Sequence, residues 1–531
     1  MSKISRREFN KKLVLGAAGL TTLGSGFRSI NGMPKIKMGS DNTVSAASKR
    51  PNFVFISSDQ HSFRYSGFMG DPLVKTPNLD KIASRGVVLE NNYCGSPVCV
   101  PGRACMMTGM YSSDVNSFGN TTVYDGSYPT WGKRLRDSGY YCYGVGKADL
   151  NNKVDLGFEG KLVNGHSKRP DITELFRRPT IFRADERSAV NGVSRTEPFN
   201  DIKVADEASD FIKNKSKSVG KPWVLYAGFH MPHPKFVGLK KYFDYYLPLV
   251  TPPYLPDTYL EELPMPYQVL RHFKRIATPI PPERMVRAKA AYFSMISELD
   301  EYIGKIYDSV EASGQLDNTY FVYTTDHGEA LGHNGLWLKN NLYEGAAHIP
   351  LVFSGPGLTP GQRISEPTGH IDFVATMMEW AGLGKIKELR GRSLTPLLKG
   401  EKESGTRFAY TESHSEGNPA GSFMVRVGDW KLMHFTWYSD YLFNLKDDPN
   451  EYHNLIDNPD YKSKAKELKD KLNSLVNTEE ITLRAFKCQN DYLTKFSSSL
   501  SEEKLIDLLK GRLGDGQATY IAKKIKSGML S

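Results

Sequence analysis

Residues 52–58 read Asn-Phe-Val-Phe-Ile-Ser-Ser and are followed at once by Asp59. A short apolar run rich in β-branched and aromatic residues is typical of a buried strand. Two further runs of this kind, at 223–229 and 319–325, also end at polar residues. Because such runs alternate with helical stretches, the sequence predicts an α/β fold with a large mixed, mostly parallel sheet sandwiched by helices. Sheets of this kind place their sites at the carboxyl ends of the strands.

A long helix is predicted between the second and third runs. Apolar residues from Tyr292 to Val310 recur three and four positions apart, which is the spacing of a helix face that packs on a core. The Pro- and Tyr-rich segment before it, residues 238–282, is predicted to be a long ordered loop. Long loops in compact domains are often functional, so this one is a candidate wall of a substrate cleft.

The chain past residue 400 has a different character. Short polar strands are predicted at 408–411, 423–427 and 430–435, and charged helical sequence follows them. We therefore predict a smaller α+β C-terminal domain. The predicted organisation is an export signal over residues 1–47, a main domain over 48–400, and a C-terminal subdomain with a helical tail over 401–531.

The 531 residues are 39% hydrophobic and 24% charged, which is the composition of a packed globular protein and not of a disordered chain. Of the 69 basic and 59 acidic residues, residues 1–47 hold eight basic and two acidic ones. The rest of the chain therefore has 61 basic residues against 57 acidic ones. A net charge this close to zero over residues 48–531 gives no argument for nucleic-acid binding.

The first 47 residues have the parts of an export signal. A basic region precedes an apolar run over residues 13–24, which is too short for a bilayer that needs about 20 apolar residues. Residues 5–11, Ser-Arg-Arg-Glu-Phe-Asn-Lys, resemble the twin-arginine signal of bacterial proteins that are exported folded. We expect an exported, periplasmic or extracellular protein without a stable membrane span; an N-terminal membrane anchor is the alternative. Five cysteines are too few for a disulfide framework.

The run Cys99-Val100-Pro101-Gly102-Arg103 carries the first candidate site residues. Pro101 suits the first turn of a helix, so Cys99 is predicted at a helix N-terminus, where free N–H groups and the helix dipole favour an anion. Arg103 lies one turn further on, on the same side, and its guanidinium suits a tetrahedral oxyanion. The pattern predicts an anion bound to both residues; a plain buried cysteine near a helix start is the alternative.

This run resembles the signature of the type I, formylglycine-dependent sulfatases of the alkaline phosphatase superfamily, Cys-x-Pro-x-Arg followed by a helix that ends in Thr-Gly. The resemblance implies an alkaline phosphatase-like sulfatase fold, a catalytic domain over 48–400 and hydrolysis of sulfate esters. It further implies that a formylglycine-generating maturation enzyme converts Cys99 to 3-oxoalanine (formylglycine), whose aldehyde hydrate is the nucleophile. Gly102 departs from the Ser or Ala that is usual in the family.

The resemblance also implies a metal site at the carboxyl ends of two strands. Asp59 and Gln60 end the first run, and Asp326 and His327 end the third; together with residue 99 they would hold one divalent cation. Oxygen-rich ligands favour Ca²⁺, whereas a histidine also suits borderline metals. Gln60 and His327 resemble the variant shared by the related phosphonate monoester hydrolases and some sulfatases. The alternative without a metal is that these residues cap strands and form turns.

Three further segments resemble catalytic motifs of the family. Gly146-Lys147-Ala148-Asp149 resembles Gly-Lys-x-His, so Lys147 would hold the hydrate and a sulfate oxygen, and Asp149 would replace the histidine that helps expel sulfate. The same departure occurs in arylsulfatase K-type enzymes, which cleave 2-O-sulfate from glucuronate. His233, with His230 as a packing neighbour, and Lys339 match the groups that contact the leaving oxygen and the sulfate. The alternative for Asp149 is an ordinary surface ion pair.

The substrate that the resemblance implies is a sulfated polysaccharide or oligosaccharide, such as a glycosaminoglycan or an ulvan-type algal polymer with a sulfated uronic acid. A phosphodiesterase or phosphonate monoester hydrolase with the same nucleophile is the second hypothesis, which Gln60 and His327 favour. The third is a non-catalytic polyanion-binding protein. It is favoured by a basic stretch that comprises His166, Lys168, Arg169, Arg177, Arg178, Arg183 and Arg187.

Overall fold

The computed structural model describes residues 50–168, 171–175 and 182–527. The strands in these ranges are β1 (Asn52–Ser58), β2 (Gly86–Tyr93), β3 (Tyr141–Lys147), β4 (Glu159–Val163), β5 (Val193–Arg195), β6 (Trp223–Gly228), β7 (Val237–Leu239), β8 (Thr319–Thr325), β9 (His348–Ser354), β10 (Gln362–Ile364), β11 (Thr368–Gly369), β12 (Ala409–Ser413), β13 (Ser422–Val427), β14 (Trp430–Phe435) and β15 (Tyr441–Asn444).

The α-helices of the same residues follow in chain order. They are α1 (Pro77–Ser84), α2 (Cys99–Thr108), α3 (Trp131–Asp137), α4 (Gly165–Lys168), α5 (Ala184–Ala189), α6 (Ile202–Asp210), α7 (Lys240–Tyr246), α8 (Tyr259–Glu262), α9 (Met265–Phe273), α10 (Pro282–Ala312), α11 (Glu344–Ala347), α12 (His370–Trp380), α13 (Thr395–Leu398), α14 (Lys462–Leu475), α15 (Thr478–Ser498), α16 (Glu502–Leu513) and α17 (Asp515–Lys526).

The main sheet has the strand order β10-β2-β9-β8-β1-β6-β3-β4, and β11 pairs with β2. The central strand β1 runs parallel to both of its neighbours, β6 and β8. The strand β9 is antiparallel to β2 and β8, whereas the other pairs of this sheet are parallel. The sheet is therefore mixed and mostly parallel, which confirms the predicted fold class.

The side chains of β1 alternate between two apolar cores, one on each face of the sheet. Val54 and Ile56 pack in the core to which the long helix α10 contributes residues such as Tyr292. Phe53 and Phe55 pack in the opposite core, against residues of α2 and α12. All four of these β1 side chains are fully buried. Both faces are thus covered by helices, and only the strand ends remain to form a site.

The prediction of a long loop over residues 238–282 is wrong. This segment contains the helices α7, α8 and α9. Two of its prolines lie at a helix start, since Pro264 precedes α9 and Pro266 occupies its first turn, where a missing N–H costs no hydrogen bond. Pro252, Pro253 and Pro256 lie in the irregular stretch between α7 and α8. Phe243 and Tyr246 of α7 are buried in the core, whereas Tyr245 and Tyr254 of the same segment are exposed.

A four-stranded antiparallel sheet of order β12-β13-β14-β15 forms the smaller C-terminal part, and α14 to α17 follow it. The three predicted strands are confirmed within two residues at each end, and β15 was missed. The boundary near residue 400 stays a prediction. The export signal over residues 1–47 lies outside the described residues. Across 50–168, 171–175 and 182–527, no helix is both long and apolar enough to cross a membrane.

Candidate active site

The candidate site lies at the carboxyl edge of the main sheet. The strands β8, β1 and β6 are neighbours, so the residues that follow them meet at one edge. Asp59 and Gln60 follow β1, and Asp326 and His327 follow β8; all four are fully buried. The sequence analysis predicted that these four residues share one site, and the structure places them side by side.

Helix α2 delivers Cys99 to this edge. It begins at Cys99 after the extended residue Val98, with Pro101 in its first turn, as predicted. The helix packs closely on the end of β8, because a Cβ on Gly102 would lie 2.7 Å from the carbonyl oxygens of both Ser96 and Asp326. A side chain at position 102 would push the helix and its first residue away from the sheet. The glycine that departs from the family pattern therefore fits the packing here.

The Cys99 thiol has polar groups on several sides. Its Sγ lies 2.7 Å from Nζ of Lys339, 3.3 Å from Nε2 of His327 and 3.9 Å from Oδ1 of Asp59. Burial, and after it the Asp59 carboxylate, raises the pKa of the Cys99 thiol to about 12. At neutral pH the unmodified thiol is therefore protonated, and a protonated thiol is a poor nucleophile.

Four side chains at this edge form a set that could hold a metal ion. Asp59, Cys99, Asp326 and His327 each offer a ligand atom, and these atoms lie within 4.8 Å of one another. The Nδ1 atom of His327 is 2.9 Å from the carbonyl oxygen of Gly328, which can only accept, so Nδ1 carries the proton. The Nε2 lone pair is then left for a ligand, the arrangement found in metal-binding histidines.

Gln60 offers a further candidate ligand for a cation. Its Nε2 donates to Oε2 of Glu329 at 2.5 Å, which fixes the orientation of the amide. Its Oε1 is buried and has no hydrogen-bond partner among the described residues. The backbone of Gln60 has a φ of 69°, a conformation that costs about 1–3 kcal/mol outside glycine. Gln60 directly follows Asp59, and its backbone N–H donates to Oδ1 of Asp326, so an orphaned carbonyl oxygen on this residue suits a hard cation.

Arg103 differs from the expectation that it would bind the anion directly. It is fully buried, and its five N–H groups are all used within the protein. They donate to the carboxylates of Asp326 (2.9 Å) and Asp59 (3.3 Å), to the hydroxyl of Tyr226, and to the carbonyl oxygens of Lys147 and Ser58. Arg103 therefore holds the two carboxylates in place, and an anion at Cys99 would find no free donor on it.

Lys147 and Asp149 lie at the end of β3, next to β6. The Nζ of Lys147 is 2.5 Å from Oδ2 of Asp59 and 3.3 Å from Oδ2 of Asp149. Burial alone would raise the pKa of Asp149, but Lys147 and a hydrogen bond from His166 hold it well below its ordinary value. The side chain of Asp149 is 1% exposed, so the alternative of an ordinary surface ion pair is wrong.

His233 and Lys339 meet on the other side of the thiol. The Nε2 of His233 lies 3.2 Å from Nζ of Lys339, and its Nδ1 lies 2.6 Å from the carbonyl oxygen of Pro234. Because that oxygen only accepts, Nδ1 is the protonated nitrogen and Nε2 accepts from the ammonium. Burial, followed by the charge of Lys339, lowers the pKa of His233 well below its ordinary value. The pair therefore presents a neutral imidazole and a charged lysine.

Two adjoining cavities, of about 250 and 440 Å³, open beside these groups and share His166, His233 and Arg512 in their walls. Lys235 is exposed, and the Arg512 side chain is 43% exposed, whereas the Asp171 side chain that pairs with Arg512 is 14% exposed. In this pair the cation is therefore the more exposed partner. In the described part of the chain, no Phe, Tyr or Trp lines either cavity.

Three residues of this region were missed by the sequence analysis. Glu329, which holds Gln60, stands three positions after Asp326, and that spacing was the available signal. His166 was noted only as part of a basic stretch. Arg512 gave no signal, because it reaches the cavity from the C-terminal helix α16.

The other described residues of the basic stretch bind groups of the protein itself. Arg183 pairs with Asp171 and Glu186, and Arg187 donates to backbone carbonyl oxygens. Arg169, Arg177 and Arg178 lie outside the described residues, and Lys168 has no described side chain.

Comparison with known proteins identifies the family. The family model described as Sulfatase matches residues 51–383, which is more than half of the chain. The chain belongs to the sulfatase family. A second model, described as N-sulphoglucosamine sulphohydrolase, C-terminal, matches residues 332–478 of the sulfatase. The family and the activity predicted from the sequence, hydrolysis of sulfuric esters, are thereby confirmed.

Curated relatives of this sulfatase act on different esters. It is 30% identical to choline-sulfatase of Rhizobium meliloti, covering 77% of this chain and 83% of the relative. It is 27% identical to arylsulfatase K of Xenopus laevis, covering 83% of this chain and 86% of the relative. It is 26% identical to N-acetylglucosamine-6-O-sulfatase of Bacteroides thetaiotaomicron, covering 79% of this chain and 85% of the relative. The solved structure of phosphonate monoester hydrolase of Agrobacterium radiobacter shares the fold, with a TM-score of 0.68 at 23% identity over 80% of this chain and 95% of that one.

Proposed function

We propose that this sulfatase hydrolyses O-sulfate esters of acidic saccharides with a formylglycine made from Cys99. The observation that carries the proposal is the position of Cys99, whose Sγ lies among three candidate metal ligands and 2.7 Å from the Lys339 ammonium. A thiol with a pKa of about 12 is a poor nucleophile itself. Conversion to the aldehyde, by a maturation enzyme that brings its own oxidant, supplies in hydrated form the nucleophile that attacks sulfur.

Asp59, Gln60, Asp326 and His327 would hold a divalent cation, and we propose Ca²⁺ because three of the four offer oxygen atoms. When bound, the cation supplies positive charge that stabilises anionic groups at residue 99. Arg103 contributes by fixing both carboxylates.

Lys147 and Lys339 would bind the sulfate oxygens. Burial alone would lower the pKa of Lys147, but the carboxylate of Asp59 keeps the lysine charged and its pKa above the ordinary value for lysine. Fixed charges in a buried site stabilise the charge that develops on sulfate oxygens in the transition state. Lys339, hydrogen-bonded to the neutral His233, is placed to give a proton to the departing alcohol oxygen.

The walls of the cavities support an acidic saccharide as substrate. Lys235 and Arg512 expose positive charge beside the candidate site, where they would meet a uronate carboxylate or a second sulfate. Choline sulfate is not favoured, because quaternary ammonium groups are recognised by aromatic side chains and neither cavity has one in its described lining. One relative acts on a sulfated sugar according to its name, N-acetylglucosamine-6-O-sulfatase. Sulfated uronic acids of glycosaminoglycans or ulvan-type polymers are the proposed class.

The cellular setting is part of the proposal. The resemblance of residues 5–11 to a twin-arginine signal supports export of the folded, matured chain to the periplasm or beyond.

Substrate preference separates the candidate functions. The matured protein would be assayed on 4-nitrophenyl sulfate, choline sulfate, a phosphonate monoester and a panel of defined sulfated disaccharides. We expect the highest kcat/KM on a disaccharide with a sulfated uronic acid, and a loss of that preference in Arg512→Ala with the rate on 4-nitrophenyl sulfate retained. A kcat/KM for choline sulfate or the phosphonate above that for every disaccharide would contradict the substrate class.

A further inference from the structure

Asp149 and His166 form a carboxylate–histidine pair in the wall of the cavities. The Oδ2 atom of Asp149 lies 2.5 Å from Nδ1 of His166, and Oδ1 accepts the backbone N–H of His166 at 3.1 Å. The carboxylate is ionised, because Lys147 and the hydrogen bond from His166 outweigh the effect of burial on its pKa. An ionised carboxylate only accepts, so the ring is held with a proton on Nδ1.

The other ring nitrogen, Nε2, is therefore left as a proton acceptor when His166 is neutral. It has no hydrogen-bond partner among residues 50–168, 171–175 and 182–527. The ring lines one cavity together with Lys339 and His233, and the other together with Lys147 and His233. The His166 side chain is 27% exposed, so it also has access to water.

The proposed reaction needs a base after the alcohol has left, and this inference rests on that proposed function. Sulfate is then bound to residue 99, whose remaining hydroxyl group must lose its proton before sulfate can depart. Neither lysine is suitable, because neighbouring anions keep the pKa of both Lys147 and Lys339 above the ordinary value despite burial. His233 already accepts from Lys339 through Nε2.

Asp149 and His230 line the second cavity together with His166, and each lacks one requirement. Asp149 already binds His166 through both of its oxygens. His230 stacks on Phe199, with ring centroids 5.9 Å apart, and among the described residues its ring has no carboxylate within bonding distance. Of these three residues, His166 is the one that pairs an accepting nitrogen with an adjacent anion, which would stabilise the imidazolium formed.

We propose that His166 is the general base of sulfate release and that Asp149 is its positioning residue. In this step Nε2 of His166 takes the proton of the hydroxyl group on sulfated residue 99. The electron pair of that O–H bond forms the aldehyde C=O, and the C–O bond to sulfate breaks, with its electron pair leaving on sulfate. Water then adds to the aldehyde to restore the hydrate, and His166 passes its proton to solvent.

The test uses matured full-length protein and 4-nitrophenyl sulfate. His166→Asn keeps a donor near the position of Nδ1 for Asp149 and removes the accepting nitrogen. We expect steady turnover to fall about 10²- to 10⁴-fold, a rapid initial release of one equivalent of 4-nitrophenolate, and sulfate retained on residue 99 in the intact mass. The cavity variant His166→Gly should regain turnover when imidazole is added.

The matched control is His434→Asn. His434 also pairs with a carboxylate, with Nδ1 2.6 Å from Oδ1 of Asp440, although Lys469 and Thr478 contact its ring nitrogens as well. It lines neither cavity. We expect the control to turn over as the parent does, without retained sulfate.

A second readout does not depend on turnover. In protein that keeps the Cys99 thiol, ¹⁵N NMR of His166 should show the Nδ1–H tautomer in the parent and a mixture of tautomers in Asp149→Asn. Unchanged turnover in His166→Asn, or slower turnover with neither the initial release nor retained sulfate, would overturn the inference. If the parent protein had no aldehyde at residue 99, the proposed function itself would be overturned. The intact mass of the parent shows this before any variant is compared.

Discussion

The Nζ atom of Lys339 lies 2.7 Å from the Sγ atom of Cys99, although 240 positions separate the two residues in the chain. The thiol is at the start of α2, and the lysine stands in the segment between β8 and β9. Both are held against the carboxyl edge of the sheet. A positive charge thus lies beside the atom where the proposed nucleophile would form.

Replacing Lys339 by Met should lower the rate and leave the fold intact. The change removes a charge that would stabilise the sulfate oxygens and a proton donor for the alcohol, so kcat on an alkyl sulfate should fall about 10²- to 10³-fold. The drop should be smaller on 4-nitrophenyl sulfate, whose leaving group needs less protonation. Lys203→Met, an exposed position in α6, is the control and should match the parent. Equal losses on both substrates would argue against the proton-donor role.

Replacing Arg103 by Met should destabilise the protein. Arg103 pairs with two fully buried carboxylates, and removing one member of a buried ion pair costs about 3–5 kcal/mol because the other charges stay buried. The apparent free energy of unfolding in urea, measured with chelator present, should fall by that amount. The exposed pair of Arg136 with Asp155 provides the control, where Arg136→Met should cost at most about 1 kcal/mol. Similar losses in the two variants would contradict the assigned role.

The orphaned Oε1 atom of Gln60 predicts a specific effect on metal binding. Gln60→Met keeps the volume and removes the carbonyl oxygen, so the apparent Kd for Ca²⁺, measured by calorimetry after chelator treatment, should rise at least about 10-fold. Gln362 also has a buried Oε1 without a partner among the described residues, but it lies in the edge strand β10. Gln362→Met should leave the Kd unchanged. An unchanged Kd in Gln60→Met would remove Gln60 from the ligand set.

Asp201 predicts how stability depends on pH. Its Oδ2 accepts the N–H groups of His230 and Met231, and burial raises the pKa of Asp201 to about 6 from an ordinary value of 3.8. The folded state therefore keeps this proton to a higher pH than the unfolded state. Its favourable contribution is complete below the unfolded pKa and is lost as the pH rises through about 6. The two-unit difference corresponds to about 3 kcal/mol.

The variant that tests this is Asp201→Asn, which keeps an accepting oxygen for both N–H groups and does not titrate. Relative to the parent, its Tm should be higher at about pH 7, where Asp201 of the parent is ionised. At about pH 4, where Asp201 of the folded parent is protonated, the two Tm values should be similar. Asp210→Asn, exposed at the end of α6, is the control. A gain in Tm of the same size at both pH values would show that Asp201 does not titrate in this window.

The strands at the centre of the fold were predictable because their side chains are buried on both sides. Continuous apolar runs such as 52–58 and 319–325 have few alternatives to a buried parallel strand, and their polar ends marked the candidate metal ligands. The helix start at Cys99 was predictable from Pro101. The segment 238–282 was not, because its helices are short and are stabilised by packing of residues such as Phe243, which no local pattern reports.

The inner arrangement of the site depends on distances that a sequence does not contain. Arg103 was expected to face an anion, but the two carboxylates that use its donors come from strands 44 and 223 positions away. The same holds for Arg512, which reaches the cavity from a C-terminal helix beyond both family matches. Several carboxylates in the chain could pair with a given arginine, and long-range packing decides which of them it contacts.

The central claim is that residue 99 of the active protein is an aldehyde. The most direct test is peptide mass spectrometry of residue 99, with and without an aldehyde-specific hydrazide, in samples whose turnover of 4-nitrophenyl sulfate has been measured. We expect turnover to rise in proportion to the fraction of formylglycine, and Cys99→Ala to keep the parent's fold without turnover. Full turnover by protein in which residue 99 is an unmodified cysteine would contradict the account.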